Sequence, residues 1–421
     1  MSSFQQGLSG LNASSKNLEV IGNNVANANT YGSKSSRAEF ADMYANAIGA
    51  GGVTDIGIGV KLGAVAQQFT QGNVTATDNP LDLAINGAGF FQVTNGSNAP
   101  QYTRNGQFKV DRDGYIVNNQ QQRLMGYPAD ATGAIQAGQA KALQMPTAGI
   151  TPAASTKIKM ELNLDARAKV TAPSAGTPID FTDPSTYNNA TSVTVYDAKG
   201  QDVALTYYFQ KSATDQWNVY VTANGTPIST AAGVPTPSTT LAFPVNGGAP
   251  TAPVGTVSLD IPAVTNSAGA QTVPISGVAL SVASATQYGS QFGVTDLSQD
   301  GYAAGQLIGV QFEDNGTITA QYSNGQTKPA GQVEIANFRN PQGLQPLGGN
   351  AWSATYTSGD PILGVPGAGN LGELQSGALE ESNVDLTAEL VNMITAQRVY
   401  QANAQTIKTQ DQLLQTIVNL R

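Results

Sequence analysis

Two short motifs have the residue types and spacing of known cofactor sites. The segment GIGVKLG contains Gly57, Gly59 and Gly63 and matches a glycine-rich loop that binds a dinucleotide. Tyr207 and Lys211 have the Y-x-x-x-K spacing that some dehydrogenases use. The glycine segment is not followed by a crossover helix, however, and Tyr207 and Lys211 fall in a segment that alternates as a strand does. Both motifs are therefore interpreted as structural, and no cofactor is expected.

Acidic residues provide the other candidate chemistry. The run Asp111-Arg112-Asp113-Gly114 matches the start of a calcium loop but lacks the later ligands, which favours a hairpin turn. Two carboxylates brought together by the fold could act as general acid and general base, and the sequence leaves that alternative open. The 421 residues include no histidine and no cysteine, so the usual zinc ligands and the thiolate nucleophile are absent. We predict no metal site and no catalytic residue.

The composition indicates a surface that is polar but largely neutral. Charged residues make up 12% of the chain and the net charge is −9, whereas soluble domains usually contain about 25% charged residues. Nucleic acids and anionic membranes attract clusters of Lys and Arg, which this sequence lacks, so neither is an expected partner. No apolar stretch of about 18 residues and no signal-peptide pattern is present. We expect no membrane insertion and, for an exported protein, no cleaved signal peptide.

The start of the chain has the periodicity of a helix. Apolar and small residues recur at alternating steps of four and three, which is a heptad seam, and Ile21 lies beside it. After Val25 the stripe gives way to asparagine and small residues with almost no charge. The seam residues are Phe4, Leu8, Leu11, Ser15, Leu18, Gly22 and Val25.

The end of the chain has a longer seam of the same kind. Ser382 or Asn383 is expected to cap this helix, and Asp385 favours its first turn. The two helices could pair as an ordinary intramolecular coiled coil, but their wide stripes and low outer charge favour burial by further subunits. The seam residues are Leu386, Leu390, Met393, Gln397, Tyr400, Ala404, Ile407, Asp411, Leu414 and Val418.

The residues between the helices alternate with period two and contain many turn signals. Hairpin turns are expected at residues 111–114 and 198–200, at Asn315-Gly316 and at Asn324-Gly325. Residues 223–285 are expected to be irregular surface loops joined by short strands. The predicted fold class is α+β and mainly β, with the terminal helices forming a coiled-coil-like pair and two nested β-rich domains inserted between them. The expected domains are a helical assembly domain (1–30 and 375–421), a connecting segment (31–70 and 360–374), a middle β-domain (71–145 and 286–359) and an inserted outer β-domain (146–285).

Several segments resemble the rod and hook proteins of the bacterial flagellum. GNNVANANTYGSKSSRAEF, residues 22–40, resembles the N-terminal box of that family, and NPLDLAINGAGFFQV, residues 79–93, resembles the next box. Residues 369–421 resemble the closing helix almost throughout. One departure is Tyr31-Gly32-Ser33-Lys34, where many relatives carry Thr-Gly-Phe-Lys.

The middle of the chain distinguishes the members of this family. Distal rod proteins are shorter and lack a large inserted domain, whereas residues 191–211 and 298–326 resemble the hook members. The resemblance extends over nearly the whole chain and is weakest in residues 223–285. Two alternatives stay open. One is a rod subunit, which would build a straight and stiff tube, and the other is an adhesive glycan-binding β-protein whose helices serve only to form oligomers.

The resemblance implies a structural, non-enzymatic subunit that leaves the cell unfolded through the flagellar type III export apparatus. It implies assembly beneath a hook cap protein into a homopolymer, a short curved tube in the extracellular hook of the flagellum. The tube would meet the rod protein at its proximal end and the hook–filament junction protein at its distal end. It would act as a universal joint around the export channel, with the terminal helices innermost.

That arrangement indicates which residues assemble the polymer. A charged group facing a neighbouring subunit would lose its water, whereas an amide can form a hydrogen bond there. The glycine- and serine-rich residues 49–59 are expected to act as hinges. The expected assembly residues are Phe4, Leu8, Leu11, Leu18, Ile21, Val25, Asn23, Asn24, Asn27, Asn29, Leu386, Leu390, Met393, Tyr400, Ile407, Leu414 and Val418.

Overall fold

A computed structural model of the chain describes residues 2–43, 57, 59–96, 99–171 and 179–419, with the backbone alone at residues 2, 3 and 417–419. The described chain is mostly β-structure between two long helices, α1 (Ser2–Ala26) and α2 (Leu386–Asn419), which pack together. The predicted fold class is therefore confirmed. The chain forms two compact units, of which the first contains Met1–Thr147, Gly309–Gln321 and Thr327–Arg421 and the second contains Ala148–Ile308 and Tyr322–Gln326. The four-part domain division remains a prediction.

The first unit begins with α1 and ten strands. The ribbon formed by β1 and β2 is antiparallel and lies against α1; the sequence had indicated only a connecting segment there. Gly59 begins β2 and Gly63 lies within it, so the glycine motif is part of a strand. Most of the expected hinge at residues 49–59 lies outside the described residues. The strands are β1 (Ser36–Met43), β2 (Gly59–Gln67), β3 (Val74–Ala76), β4 (Leu83–Asn86), β5 (Phe90–Thr94), β6 (Gln101–Thr103), β7 (Lys109–Val110), β8 (Ile116–Val117), β9 (Arg123–Pro128) and β10 (Lys141–Ala142).

The second unit contains two five-stranded sheets around one apolar core. One sheet has the order β19-β20-β11-β21 with β22 also on β11, and the other has the order β12-β13-β14-β15 with β18 also on β14. Trp217, Tyr207 and Phe209 are fully buried between them. The strands are β11 (Lys157–Asp165), β12 (Asn189–Tyr196), β13 (Asp202–Ala213), β14 (Gln216–Ala223), β15 (Thr226–Pro227), β16 (Thr230–Ala231), β17 (Val234–Pro235), β18 (Thr239–Ala242), β19 (Thr256–Ile261), β20 (Ile275–Ser281), β21 (Thr286–Tyr288) and β22 (Gly293–Gln299).

The second unit contains the Tyr207–Lys211 motif and residues 223–285, for which the sequence made two predictions. Tyr207 and Lys211 lie in β13, as the alternating pattern predicted, and the Lys211 ammonium donates to the carbonyls of Ala166 and Ala168. The prediction for residues 223–285 was incomplete, because this segment supplies β19 and β20 and places Leu259 and Leu280 in the core. Val257, Leu259 and Ile261 alternate with the exposed residues of β19, so this strand did carry a period-two signal within the glycine- and proline-rich segment.

The chain then returns to the first unit and ends in α2. A sheet with the main order β23-β24-β25-β9-β5-β6-β28-β27 is formed by strands from both parts of the chain. Its apolar core includes Phe91, Ile116, Leu124 and Val333. The strands are β23 (Leu307–Phe312), β24 (Thr317–Tyr322), β25 (Thr327–Val333), β26 (Ile335–Asn337), β27 (Gln345–Gly348), β28 (Ala351–Ser353), β29 (Ile362–Gly364), β30 (Glu373–Ser376) and β31 (Ala378–Glu380).

The predicted hairpin turns are present. β7 and β8 pair across the acidic run, where the Asp111 Oδ1 atom accepts hydrogen bonds from the N–H groups of Asp113 and Tyr115. The carboxylate that resembled a calcium ligand therefore stabilises its own turn. Asp197 Oδ1 similarly accepts from the N–H groups of Lys199 and Gln201 between β12 and β13.

Glu334, between β25 and β26, is a buried carboxyl group with one unpartnered oxygen. Its exposed fraction is 2%, Oε1 accepts from the Tyr127 hydroxyl at 2.7 Å, and Oε2 has no hydrogen-bond partner among the described residues. Burial raises the pKa of Glu334, and the Tyr127 hydrogen bond opposes that shift. Burial and the hydrogen bond to Glu334 together raise the pKa of Tyr127 to about 12.

The raised pKa of Glu334 predicts a pH-dependent gain for the Glu334→Gln variant. Above the folded-state pKa the native protein holds a buried charge that the amide lacks, so the variant should be more stable by about 1 kcal/mol at neutral pH. As the pH falls through the raised folded pKa toward the ordinary Glu value of about 4.3, the native protein takes up a proton and this difference should vanish. Paired urea titrations at several pH values would measure it. A difference that is the same at every pH would contradict the assignment.

Candidate functional site

The two terminal helices pack as an antiparallel pair with small residues at the contact. A Cβ atom added at Gly7 would lie 3.0 Å from Ile407 Cγ1, and one added at Gly10 would lie 2.9 Å from the Asn403 side chain. Farther along, the Asn403 amide donates to the Ser14 hydroxyl at 3.4 Å. Gly7 and Gly10 leave room here for the side chains of Ile407 and Asn403, which an added Cβ atom would crowd.

The contact line on α1 is displaced by one residue from the predicted seam. It contains Gly7, Ser14, Ile21 and Asn24, all of which are buried. Ile21 is the only one of these predicted as an apolar assembly residue. The predicted seam lies beside this line, so its leucines are only partly covered by α2. On α2, Ala396 is buried at the centre of the contact.

Most of the predicted apolar assembly residues are available to a second molecule. Their assignment to assembly remains a prediction, and Val418 lies in α2 with its side chain outside the described residues. Leu11, Leu18, Val25, Met393 and Ile407 are half-buried. The exposed ones are Phe4 (41%), Leu8 (44%), Leu386 (45%), Leu390 (45%), Tyr400 (37%) and Leu414 (49%).

Of the predicted assembly amides, Asn24 is already used within the chain. Its Nδ2 donates to the Ser36 carbonyl and its Oδ1 accepts from the Ser36 N–H, both at 2.8 Å, which ties the end of α1 to the start of β1. Its amide also contacts Glu389 Oε1 at 3.4 Å. Asn27 donates locally to the Asn23 carbonyl. Asn23 and Asn29 are exposed, so they are the amides most accessible to a neighbour.

The start of α2 is capped by Asp385, not by Ser382 or Asn383. Asp385 Oδ1 accepts from the N–H groups of Thr387 and Ala388, which is the N-cap geometry. Asn383 instead donates to the carbonyls of Gln68 and Thr70. The expected caps were wrong because Asn383 connects the approach to α2 with an early segment of the chain, which local sequence does not reveal.

Beyond the helices, three charged residues distant in sequence meet in the interior of the first unit. Lys34 Nζ lies 2.6 Å from Glu380 Oε1, and Arg104 Nη1 lies 3.1 Å from Glu380 Oε2. The side chains of Lys34 and Glu380 are fully buried and that of Arg104 is 5% exposed. We call Lys34, Arg104 and Glu380 the junction cluster, because they join the segments that follow α1 and precede α2 to the sheet region.

Hydrogen bonds to backbone carbonyls offset much of the free-energy cost of burying the charges of the junction cluster. Lys34 Nζ donates to the Thr70 carbonyl, and Arg104 donates to the carbonyls of Ile85 and Gly87. Burial lowers the pKa of both Lys34 and Arg104, and attraction to Glu380 opposes the shift in each. One carboxylate is thus shared by two cations, so the cluster depends on Glu380 more than on either partner.

The turn before Lys34 requires glycine. Gly32 has φ +69°, and a Cβ atom there would lie 2.5 Å from the Asn105 backbone nitrogen. The Gly32 N–H donates to the Glu380 carbonyl at 2.8 Å. Ser33, at the position where many relatives carry Phe, is buried. Local sequence does not reveal this junction, because Lys34, Arg104 and Glu380 lie in three segments that are distant along the chain.

The described residues contain no group of three or more Asp or Glu side chains placed to hold a metal ion. Neither helix, over the residues described, is long and apolar enough to cross a membrane. The exposed apolar residues of α1 and α2 are the candidate surface for contact with another molecule.

Comparison with known proteins places these features in a family. The family described as "Flagella basal body rod protein" matches residues 4–34, and "Flagellar hook protein FlgE/F/G D1 domain" matches 84–198. "Flagellar basal body protein FlaE D2 domain" matches 163–302, and "Flagellar basal body rod FlgEFG protein C-terminal" matches 375–420. The crystal structure of Helicobacter pylori flagellar hook protein FlgE2 covers 73% of this chain and 100% of that chain, with a TM-score of 0.52 and 16% identity, which shows a likeness of fold.

Curated relatives match over the full length. The flagellar hook protein FlgE of Escherichia coli is 42% identical and covers 99% of this chain and 100% of its own. That of Borreliella burgdorferi is 34% identical with complete coverage of both chains. The resemblance found in the sequence is confirmed. Because the flagellar hook protein FlgE of Salmonella typhimurium is 43% identical over 100% of both chains, this chain belongs to the family of flagellar hook proteins.

Proposed function

We propose that this chain is a structural subunit of the bacterial flagellar hook that polymerises through its terminal helices into a short curved tube. The tube transmits torque from rod to filament as a universal joint and encloses the export channel. The subunit has no enzymatic role. Membership of the hook protein family supports the proposal, and the observation that carries it is the exposed apolar surface of α2.

That surface is too apolar for a helix that stays in water. Besides Leu390 and Leu414, it exposes Ile394 and Leu413, each by about half of its side chain. Burying a leucine contributes about 1.5–3 kcal/mol, so several such residues per subunit provide a strong driving force for association. Exposed apolar side chains of this kind are typical of protein interfaces. Identical subunits around a channel would bury it on one another.

The low charge of the helices is consistent with a tube whose subunits move relative to one another as the tube bends and rotates. The described part of the helix pair contains one ion pair, between the exposed side chains of Lys16 and Glu19. Neutral contacts can slide over one another at a small free-energy cost, whereas strong ion pairs would hold a single register. This composition supports a flexible joint over a stiff rod.

The partners we propose follow from the place of a hook in the flagellum. The polymer meets a rod protein at its proximal end and a hook–filament junction protein at its distal end, and a hook cap protein retains subunits during growth. The subunit reaches its extracellular site through the type III export apparatus without a cleaved signal peptide. None of these contacts requires a nucleic acid or insertion into a membrane.

Aspartate at position 390 or 414 is expected to abolish polymerisation. Leu390→Asp and Leu414→Asp would each place a charge in the proposed interface, where it would lose its water without gaining a partner. Because both side chains are about half exposed in the single chain, the fold should be retained. The measurement is electron microscopy of concentrated full-length protein seeded with hook fragments, with circular dichroism to confirm folding.

The matched control is Leu390→Met, which keeps the position apolar and nearly isosteric and should still form curved tubes. Normal tubes from the aspartate variants would refute the proposed interface. Straight tubes from the unaltered protein would favour the rod alternative. Specific sugar binding by the full chain, with no tubes under any seed, would favour the adhesive alternative.

A further inference from the structure

Three Asn-Gly pairs lie in turns of the same geometry. In each turn the glycine N–H closes the turn by donating to the carbonyl three residues earlier, and each glycine has a positive φ of +75° to +82°. The closing hydrogen bond and the glycine conformation are therefore matched at the three asparagines. The closing bonds are Gly247 to Pro244 (2.9 Å), Gly316 to Glu313 (2.8 Å) and Gly325 to Tyr322 (3.0 Å).

The three turns differ in how the asparagine side chain is held. Asn315 Oδ1 accepts from the Thr317 N–H at 2.8 Å. Asn324 is held at both ends, because Oδ1 accepts from the Gln326 N–H at 3.0 Å and Nδ2 donates to the Ala303 carbonyl at 2.7 Å. Asn246 is exposed, and its side chain has no hydrogen bond to any residue that the structure describes.

We propose that Asn246 is a site of spontaneous deamidation in the folded protein. The Gly247 backbone nitrogen, after losing its proton to hydroxide or a buffer base, attacks Cγ of Asn246. A C–N bond forms, the bond from Cγ to Nδ2 breaks, and ammonia leaves with a proton taken from water. Water then opens the resulting cyclic imide at either carbonyl, which produces aspartate or isoaspartate.

Glycine at position 247 favours this reaction because it has no side chain to hinder the approach of its nitrogen. At Asn315 and Asn324 the same attack first requires the side-chain hydrogen bonds to break, since those bonds fix the orientation of the carbonyl group. Two other Asn-Gly pairs are restrained in a similar way. Asn105 Oδ1 accepts from the Gln107 N–H, and Asn224 Oδ1 accepts from the Ala204 N–H.

The modification would change the most exposed apolar loop of the second unit. Val245 and Val254 are 91% and 90% exposed, and Asn246 directly follows the first of them. Deamidation adds a negative charge beside these side chains, and isoaspartate lengthens the backbone by one methylene.

Peptide mass spectrometry of the full-length protein, aged at mildly alkaline pH, tests the proposal. The peptide with Asn246 should accumulate aspartate and isoaspartate at least about fivefold faster than those with Asn315 and Asn324, a ratio typical of one net hydrogen bond. In urea the three rates should converge. The Asn246→Gln variant should lose the product at this site and leave the other two rates unchanged.

Two results would overturn the proposal. Equal rates at the three sites in the folded protein would show that the hydrogen bonds at Asn315 and Asn324 do not protect them. An advantage for Asn246 that persists unchanged in urea would show that local sequence, and not the folded turn, determines the rate.

Discussion

Replacing Glu380 with glutamine is expected to lower the free energy of unfolding of the first unit by about 3–5 kcal/mol, the usual loss when a buried ion pair keeps one unpaired charge. Lys34 and Arg104 would then be two buried cations without a counter-charge. Lys34→Met should be less harmful, because the remaining Arg104–Glu380 pair is electrically neutral. Hydrogen exchange followed by mass spectrometry would measure the loss, since it resolves local stability.

The expected pattern of exchange contains its own control. Exchange should accelerate in β3, β4 and β31, whereas β12 to β14 of the second unit should keep their protection. Glu381→Gln is the matched control, because among the described residues the Glu381 side chain contacts only the Asn73 amide, at 3.3 Å. It should change stability by less than about 0.5 kcal/mol. Similar losses from Glu380→Gln and Glu381→Gln would show that the buried cluster has no special role.

Gly106→Ala is expected to destabilise the first unit by about 3 kcal/mol or more, through forced separation of two backbone segments. A Cβ atom at position 106 would lie 1.5 Å from the Leu83 carbonyl oxygen, and the Leu83 N–H donates to the Gly106 carbonyl at 3.0 Å. A backbone carbonyl cannot adopt another rotamer to relieve this clash, as a flexible side chain can. Leu83 and Ile85, which are fully buried, would be displaced with β4.

Urea unfolding followed by Trp352 fluorescence would measure this loss, because the other tryptophan, Trp217, belongs to the second unit. Gly138→Ala is the control: a Cβ atom there meets nothing within 4 Å, so the variant should be as stable as the unaltered protein. If the two alanine variants unfold at the same urea concentration, the close approach at Gly106 is not a structural requirement.

Local sequence predicted the features that local chemistry determines. The heptad seam from Phe4 to Val25 indicated α1, which is Ser2–Ala26. The Asp111 turn was predictable because the aspartate side chain bonds to the backbone two and four residues later. The long heptad pattern indicated α2 over nearly all of its length.

The contact faces and the junction could not be predicted in this way. The apolar pattern places leucines at the helix seam. In the structure Gly7 and Gly10 lie against α2, and a glycine has no side chain that such a pattern could detect. The ribbon of β1 and β2 was missed because β2 contains two glycines and is exposed along most of its length. Lys34 and Glu380 have nothing in their local sequences that relates one to the other.

The strands near the start of the chain have their partners near its end. Val74 in β3 is in register with Glu380 in β31, and Leu83 in β4 is in register with Ser376 in β30. Contacts between residues this distant form slowly, because a long intervening loop must first lose its conformational entropy. A chain that emerges from a narrow passage by either end therefore cannot complete its first unit until nearly all of it has emerged. For any chain released end first, this connectivity would keep the first unit unfolded until release is almost complete.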